Sequence, residues 1–161
     1  STLMRSSAAS DVYKRQTQKW VRKVKAAYSD VTPYGGYRDD EDQGQMGALG
    51  VLMAIGLFEV DGGCAEKPFY EITSPLFDKV TIHLDNRYYP GKTFQIITVG
   101  NSADNMYIQR ASFNGKKWNK CWFYHEDFIK GGTLELQLGT TPNKKWGIEE
   151  FPPSSVSSDK D

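Results

Sequence analysis

The stretch from Tyr107 to Lys117, which reads YIQRASFNGKK, is the clearest indication of how this chain folds. The pair Asn114-Gly115 is typical of a tight hairpin, because both central positions of the favoured two-residue turn need a positive φ. The pair predicts a turn that links a strand at Tyr107–Phe113 to a second strand at Lys117–Phe123. We therefore expect antiparallel strands in this part of the chain.

Segments on both sides of the hairpin have the period of two that is typical of strands. Leucine, isoleucine and valine alternate with polar residues in 80–84 and again in 134–138. Strands are also predicted at Thr93–Val99 and Asn105–Ala111, and a single helical turn that ends at glycine is predicted at His125–Gly132. Strands at intervals of about ten residues predict an antiparallel sheet or sandwich.

Before residue 60 the apolar residues instead recur at the spacing that is typical of helices. Apolar residues on one face and Thr17 as a cap predict a helix at Thr17–Tyr28, with Arg22 and neighbouring lysines on a solvated face. A second helix is predicted from about Glu41 to Leu57, and it is apolar on every face, which is typical of a buried helix. Its glycines each lower helix propensity by about 1 kcal/mol relative to alanine. They suit close helix contacts, so we expect this helix to belong to a larger helical assembly.

These elements place the chain in the α+β class, with two helices followed by an antiparallel β unit. Residues 1–16 show no hydrophobic periodicity, and SSAASDVYKRQ within them resembles translated adapter sequence at the ends of genes assembled from short reads. We therefore expect native sequence to begin at Thr17 and the chain to be a fragment. The expected divisions are a non-native segment at 1–16, helices at 17–63, the β unit at 64–147 and a disordered tail at 148–161.

Composition argues against two classes of partner. The chain has 161 residues, of which 20 are lysine or arginine and 20 are aspartate or glutamate, so there is no electrostatic basis for binding nucleic acid or an anionic membrane. No segment reaches the roughly eighteen apolar residues that span a bilayer. Cys64 and Cys121 lie outside any metal-ligand motif, and they could form a disulfide or remain two thiols.

Four acids at 39–42, within GGYRDDEDQGQM, lie at the start of the predicted second helix, just before its apolar residues. Capping and the helix macrodipole account for one or two of these acids, but not for four that repel each other. The surplus indicates a cation site or a pair of carboxylates with altered pKa values. An EF-hand loop is excluded, because the spacing from Asp40 to Gly44 is one residue too short and no glutamate closes the loop.

Other residues whose side chains could bind a metal or a sugar are better explained as structural. His83 lies on a predicted strand and His125 opens the predicted helical turn, and neither has a partner at metal-ligand spacing. Tryptophans can stack on sugars, but on half-buried strands they usually belong to the core. The tryptophans in question are Trp20, Trp118, Trp122 and Trp146.

Five blocks, in order along the chain, resemble the C-terminal end of family 92 glycoside hydrolases. They read TQKWVRKV, GYRDDEDQGQMGALGVLMAIGLFEVDGG, YEITSPLFDKVTIHL, GKTFQIITVGNSADNMYIQRASFNGK and HEDFIKGGTLELQLGTTPNKKWG, and together they run from Thr17 to about Gly147. The resemblance implies a calcium-dependent, inverting exo-α-mannosidase, in many members specific for α-1,2 linkages. It also implies that the two helices come from the end of an (α/α)6 barrel.

The resemblance assigns roles within the acidic stretch. The family motif reads Gly-Asp-Glu-Asp-x-Gly or close to it, and its two aspartates, the candidates for the general base, fall on Asp40 and Asp42. Gly44 closes the motif, whereas Asp39 stands where the family has glycine. The general acid and the main Ca²⁺ ligands are implied to lie upstream, in a missing N-terminal part of the same protein. Mannose-containing glycans are the implied substrates, and a periplasmic, cell-surface or secreted location is implied too.

Two other interpretations stay open. The aromatic-rich strands could form a carbohydrate-binding β-sandwich module without catalytic activity, although such a module needs neither the apolar helix nor the acidic stretch. Alternatively, the acids could form a purely structural calcium site. If the isolated chain were itself active, the general acid would have to lie within it, with Glu126 or Asp127 as the candidates.

Overall fold

The computed structural model describes residues 16–28, 32, 36, 43–59 and 62–153. Within these residues the helices are α1 (16–27), α2 (Gln45–Ile55) and α3 (His125–Ile129). The strands are β1 (Leu57–Phe58), β2 (Phe69–Ile72), β3 (Lys79–His83), β4 (Thr93–Val99), β5 (Tyr107–Phe113), β6 (Lys116–Lys117), β7 (Trp122–Tyr124) and β8 (Gly132–Gly139). The predicted α+β class, with helices followed by a β unit, is confirmed.

The strands form two sheets. A three-stranded antiparallel sheet has the order β1-β2-β7, and a five-stranded sheet has the order β3-β4-β8-β5-β6. The expectation of purely antiparallel pairing needs one correction, because β4 and β8 run parallel from Phe94↔Gly132 to Val99↔Gln137. Parallel neighbours need a long crossover connection, and here it contains β5, β6, β7 and α3.

The predicted hairpin is present, but its second strand is much shorter than expected. Asn114 and Gly115 have φ values of 51° and 76°, and β6 ends at Lys117. Only Trp122 and Phe123 of the rest of the predicted strand belong to a strand, β7, which lies in the other sheet. Trp122 and Phe123 are adjacent, so they point to opposite faces of β7, yet they are only 2% and 1% exposed. A strand that buries both faces cannot remain in an exposed hairpin.

The core lies in the β unit and is rich in aromatic rings. Phe94 of β4 stacks on Phe123 of β7, with ring centroids 5.6 Å apart, and therefore packs one sheet against the other. Phe113 and Phe128 also contact Phe94. Complete burial of a phenylalanine side chain contributes about 1.5–3 kcal/mol, so this cluster is a main source of stability.

The predicted helices are confirmed with altered bounds. Residues 41 and 42 of the predicted second helix lie outside the described residues, and α2 begins at Gln45. At the other end, Leu57 was expected in the helix but lies in β1, because Gly56 has φ 78° and ends the helix. Among the described residues, no helix combines the length and hydropathy needed to cross a membrane.

The ends of the chain are described only in part. Gln16 is an exposed residue of α1, and residues 1–15 and 154–161 lie outside the described residues. Of the predicted tail, 148–153 is exposed or half-buried. It contacts the β unit, since Trp122 Nε1 donates a hydrogen bond to the Glu150 carbonyl at 3.2 Å.

Candidate functional site

The acidic stretch, including Asp40 and Asp42, lies outside the described residues, which resume directly after it at Gln43. Gln43 and Gly44 have φ values of 61° and 82°, and both are in the left-handed region just before α2. This region is uncommon for a residue with a Cβ such as Gln43. The backbone therefore turns sharply between the acidic stretch and the helix.

The residue that caps the start of α2 has no side chain. This N-cap residue is Gly44, there is no side-chain hydrogen bond at the cap, and the first turn of α2 contains no acid. None of the acids at 39–42 is therefore the N-cap residue or part of the first helical turn. Cation binding and catalysis by these acids stay predictions.

The orientation of α1 differs from the one that its sequence predicts. Trp20, on the apolar stripe, is 55% exposed. Gln18 and Arg22, one turn apart on the polar side, instead contact the β unit. Gln18 Oε1 is buried and accepts a hydrogen bond of 2.7 Å from the Ile108 N–H at the start of β5. The prediction that Arg22 belongs to a solvated face is wrong, because its partners are backbone and side-chain groups that only the tertiary fold brings together.

Arg22 binds two loops of the β unit at once. Its Nε donates to Ser74 Oγ at 2.9 Å, and one terminal nitrogen donates to the Pro75 carbonyl at 2.5 Å and to Asn101 Oδ1 at 2.6 Å. The other terminal nitrogen donates to the Ser102 carbonyl at 2.7 Å. These four acceptors are neutral, and burial lowers the pKa of the Arg22 guanidinium.

The end of α2 contacts the same loop. The 73–76 segment (Thr73–Leu76) follows β2, and its Thr73 and Leu76 N–H groups donate to the carbonyls of Gly56 and Ala54 at 2.8 and 2.9 Å. A Cβ on Gly56 would lie 2.6 Å from Pro75 Cγ, so helix and loop are in close contact. Both helices that flank the acidic stretch are thus held by the 73–76 segment.

An open apolar groove of about 310 Å³ lies between α1 and α2. It is lined by Gln16, Thr17, Trp20, Val21, Val24 and Met53. Val51 of α2 is also 61% exposed, although the sequence predicts a buried helix. Exposed apolar surface of this kind is typical of a contact with another part of a protein.

A second polar cluster links β2, α3 and the β3–β4 loop, and it was not predicted from the sequence. Tyr70 Oη lies 3.0 Å from His125 Nδ1, and the Tyr89 ring meets the His125 ring edge-on at 6.1 Å. Burial raises the pKa of Tyr70, and Tyr89 and Glu59 raise it further. Phe69 of β2 lies opposite Tyr124 of β7, and this register brings Tyr70 close to His125, the residue directly after Tyr124. His125 therefore has a hydrogen-bonding partner within the fold, and His83 is exposed on β3.

The remaining candidates have structural explanations. Trp122 and Trp146 are buried, and Trp118 packs on Phe113 with ring centroids 5.1 Å apart, which confirms the prediction that strand tryptophans belong to the core. Asp127, considered as an alternative acid, accepts a hydrogen bond of 3.1 Å from Lys130 on the same helical turn. No disulfide joins the exposed Cys64 to the buried Cys121, both of which are described.

The described part of the chain contains no group of three or more His, Cys, Asp or Glu side chains that could hold a metal ion. The described residues therefore do not fit a calcium centre by themselves. The carboxylates at 39–42 have the oxygen ligands that Ca²⁺ prefers, but they lie outside the described range.

Comparison with known proteins relates these features to one family. The family model "Glycosyl hydrolase family 92 catalytic domain" matches residues 12–140, a range that contains the acidic stretch, α1, α2 and all eight strands. A curated relative from the fungus Arthroderma benhamiae, named an uncharacterized secreted glycosidase, is 36% identical over 135 residues. That alignment covers 81% of this chain and 16% of the relative.

Solved structures agree with the family match. A family 92 α-mannosidase from Bacteroides thetaiotaomicron has a TM-score of 0.76 and 27% identity, and a family 92 inverting mannosidase from the same species has a TM-score of 0.74 and 35% identity. Each alignment covers 88% of this chain but only 18% of the solved chain. This chain therefore spans less than a fifth of the length of these relatives.

Proposed function

This chain belongs to glycosyl hydrolase family 92, and on that premise we propose that it is the C-terminal part of a calcium-dependent, inverting exo-α-mannosidase that acts on α-1,2-linked mannosides. The observation that carries the proposal is the acidic stretch, which lies within the matched range and directly before a helix that Gly44 caps. None of these acids is the N-cap residue of α2 or lies in its first turn, so the N-cap position does not explain the stretch.

Asp40 and Asp42 are the proposed candidates for the general base. An inverting glycosidase needs one carboxylate that activates water and one carboxylic acid on the opposite side of the sugar, about 6.5–9.5 Å away. The base would accept a proton from water as the water attacks the anomeric carbon. The second aspartate would orient that water or bind a ring hydroxyl.

We assign the general acid and the main calcium ligands to the part of the enzyme outside this chain. Carboxylate oxygens are among the ligands that Ca²⁺ prefers, and the described residues contain no group of three or more His, Cys, Asp or Glu side chains that could hold a metal ion. The relative's description as a secreted glycosidase supports a location outside the cytoplasm. Mannose-containing glycans are the proposed substrates, as the names of the solved relatives suggest.

The test uses the complete enzyme that carries this segment, assayed on α-1,2-linked mannobiose with Ca²⁺ and after chelation. NMR of the first product should reveal β-mannose, as inversion requires. Asp40→Asn and Asp42→Asn should each lower kcat, by about 10²–10⁴-fold for the variant that removes the base, with a much smaller change in KM. Asp104→Asn, at an exposed aspartate of the β4–β5 loop, is the control and should retain activity.

The isolated chain supplies a further check. It should not hydrolyse the disaccharide, with or without Ca²⁺, because the general acid is proposed to lie elsewhere. Turnover by the isolated chain would place the acid within it, at Glu126 or Asp127. Full activity of both aspartate variants in the complete enzyme would disprove the proposed base.

A further inference from the structure

Three exposed apolar side chains lie together at one end of the five-stranded sheet. Leu76, Phe77 and Val99, here called the sheet-end patch, are 37%, 52% and 47% exposed. Hydrogen bonds join the two segments that carry them: Thr98 Oγ1 donates to the Phe77 carbonyl at 2.6 Å, and Asn101 Nδ2 donates to the Leu76 carbonyl at 3.0 Å. The patch therefore belongs to a fixed part of the fold.

The strand register places Phe77 and Val99 on the same face of the sheet. β3 and β4 are antiparallel, with Lys79 opposite Ile97. Just beyond this pair the Thr98 N–H donates to the carbonyl of the residue before Lys79 at 2.8 Å, so the ladder continues. Continued by one more residue, the register puts Phe77 opposite Val99, and directly opposed side chains on one face of a sheet lie side by side.

This face of the sheet points away from the core. Burial alternates along β4, where Phe94, Ile96 and Thr98 are buried and the residues between them are half-buried. The outer face of β3 is polar and exposed, and it consists of Lys79, Thr81 and His83. Exposed apolar side chains that are confined to one end of a polar face are typical of a contact site.

The helix α1 crosses the same end of the sheet. Arg22 donates to the Ser102 carbonyl at 2.7 Å, just after β4, and Gln18 accepts a hydrogen bond from the Ile108 N–H at the start of β5, which runs opposite to β4. Trp20, between these two attachments, is 55% exposed and lines the groove between the helices. Exposed apolar side chains of the sheet and of α1 thus occur at one end of the molecule.

The comparisons indicate what could cover this end. The chain spans less than a fifth of the length of the solved relatives that it matches. In the proposed enzyme the remaining part is joined covalently to this chain, and a covalent link gives it an effective concentration of about the millimolar order. A second copy of the chain has no such advantage, so the remainder of the same protein is the better occupant.

We propose that the sheet-end patch is a docking surface for the part of the same enzyme that lies outside this chain. The facing surface must be apolar, because polar groups buried against Phe77 and Val99 would lose their hydrogen bonds to water. Docking here would attach the β unit itself, and not only the helices, to the rest of the enzyme. The inference rests on the proposed function in one respect, that this chain is part of a longer enzyme, and it does not depend on the reaction that the enzyme catalyses.

Hydroxyl-radical footprinting with mass spectrometry tests the proposal on proteins without substitutions. In the monomeric 161-residue chain both Phe77 and Tyr88 should be oxidised, because they are 52% and 75% exposed. In the complete enzyme the oxidation rate of Phe77 should fall by about tenfold or more, as expected for a side chain that only local opening exposes. Tyr88 is the control, because it lies in the β3–β4 loop at the opposite end of these strands, and its rate should change by less than about twofold.

Each other result would overturn the proposal. An unchanged rate at Phe77 would show that the patch stays in water. Equal protection of Tyr88 would show that coverage is not specific to this end of the sheet. Protection of Phe77 that disappears when the complete enzyme is diluted would identify a second copy as the occupant.

A charged substitution measures the same contact by stability. Phe77→Lys should leave the thermal midpoint of the 161-residue chain within about 2 °C, because the side chain lies in water there. In the complete enzyme it should lower the midpoint by about 5 °C or more, since an unpaired ammonium would be buried against apolar groups. Tyr88→Lys is the matched control and should change neither midpoint.

Equal effects of Phe77→Lys in the chain and in the complete enzyme would contradict docking at the patch. If the complete enzyme with Phe77→Lys does not fold, the footprint of the wild type decides alone. If the complete enzyme folds but does not hydrolyse α-mannosides, the proposed function fails, and the footprint still decides whether the patch is covered.

Discussion

Tyr70 and His125 are half-buried and come from different elements, yet their polar atoms are 3.0 Å apart. Burial is the main reason that the pKa of Tyr70 is raised, and Tyr89 and Glu59 add to it. Ionisation of this phenol is therefore less favourable in the folded chain than in the unfolded chain. The phenol lowers stability at high pH, because the unfolded chain loses its proton first.

The free energy of unfolding should therefore fall as the pH rises from about 10, the ordinary pKa of tyrosine, through the raised pKa of Tyr70. Tyr70→Phe should be less stable by about 1 kcal/mol at pH 8, because the bond to His125 is lost. It should also show a shallower decline above pH 10. Denaturant titrations between pH 8 and pH 11 measure both effects.

Tyr88→Phe is the control for this experiment, because Tyr88 is 75% exposed. Its stability should follow that of the wild type at every pH. Parallel pH profiles for Tyr70→Phe and the wild type would show that Tyr70 does not couple folding to pH.

At the scale of single residues, sequence patterns predicted roles only where the role is local or belongs to a motif. Asn114 and Gly115 adopt the expected positive φ values because turn geometry depends on neighbours in sequence. Arg22 was assigned to solvent, because its acceptors on 74–75 and 101–102 are distant in sequence. The assignment of Asp40 and Asp42 comes from the family resemblance and stays a prediction.

At the scale of elements, the end of α2 depends on a residue without a side chain. Gly56 has φ 78°, and a Cβ there would lie 2.6 Å from Pro75 Cγ. Gly56→Ala should therefore lower the free energy of unfolding, by about 1–3 kcal/mol for the backbone strain and more for the contact with Pro75. Chemical denaturation of the 161-residue chain measures this loss.

Gly63→Ala separates the two contributions. Gly63 has φ 76°, almost the same as Gly56, but a Cβ there would meet nothing within 4 Å. It should show the strain alone and so be less destabilising than Gly56→Ala. Equal losses in the two variants would mean that the contact between α2 and the 73–76 segment contributes little.

The positions of elements were predicted better than their pairing. The spacing of apolar residues identified α1, α2, β4 and β5, because that spacing reflects which faces of an element are buried. It could not place β7 in a different sheet from β6, or β8 parallel to β4. Those pairings follow from the aromatic core around Phe94 and Phe123, whose members are distant in sequence.

At the scale of the whole molecule, the β unit buries its core, whereas the two helices leave part of their apolar surface exposed. Trp20 is 55% exposed and Val51 is 61% exposed, and the groove between the helices is apolar. The position of the β unit in the sequence could be predicted from the alternation of apolar and polar residues in its strands. The exposure of the helices agrees with the expectation that α2 belongs to a larger helical assembly, which in the proposed enzyme would cover this surface.

The isolated chain should therefore associate with itself at high concentration, because exposed apolar patches drive contact between copies. Sedimentation velocity over a range of concentrations should detect this, and Trp20→Lys combined with Val51→Lys should reduce it. Tyr88→Lys is the control, because it removes a still more exposed ring from the β3–β4 loop, away from the helices in sequence, and should leave association unchanged. If the double variant associates as strongly as the wild type, the exposed helix surface does not mediate self-association. That result would argue against a larger helical assembly that covers this surface.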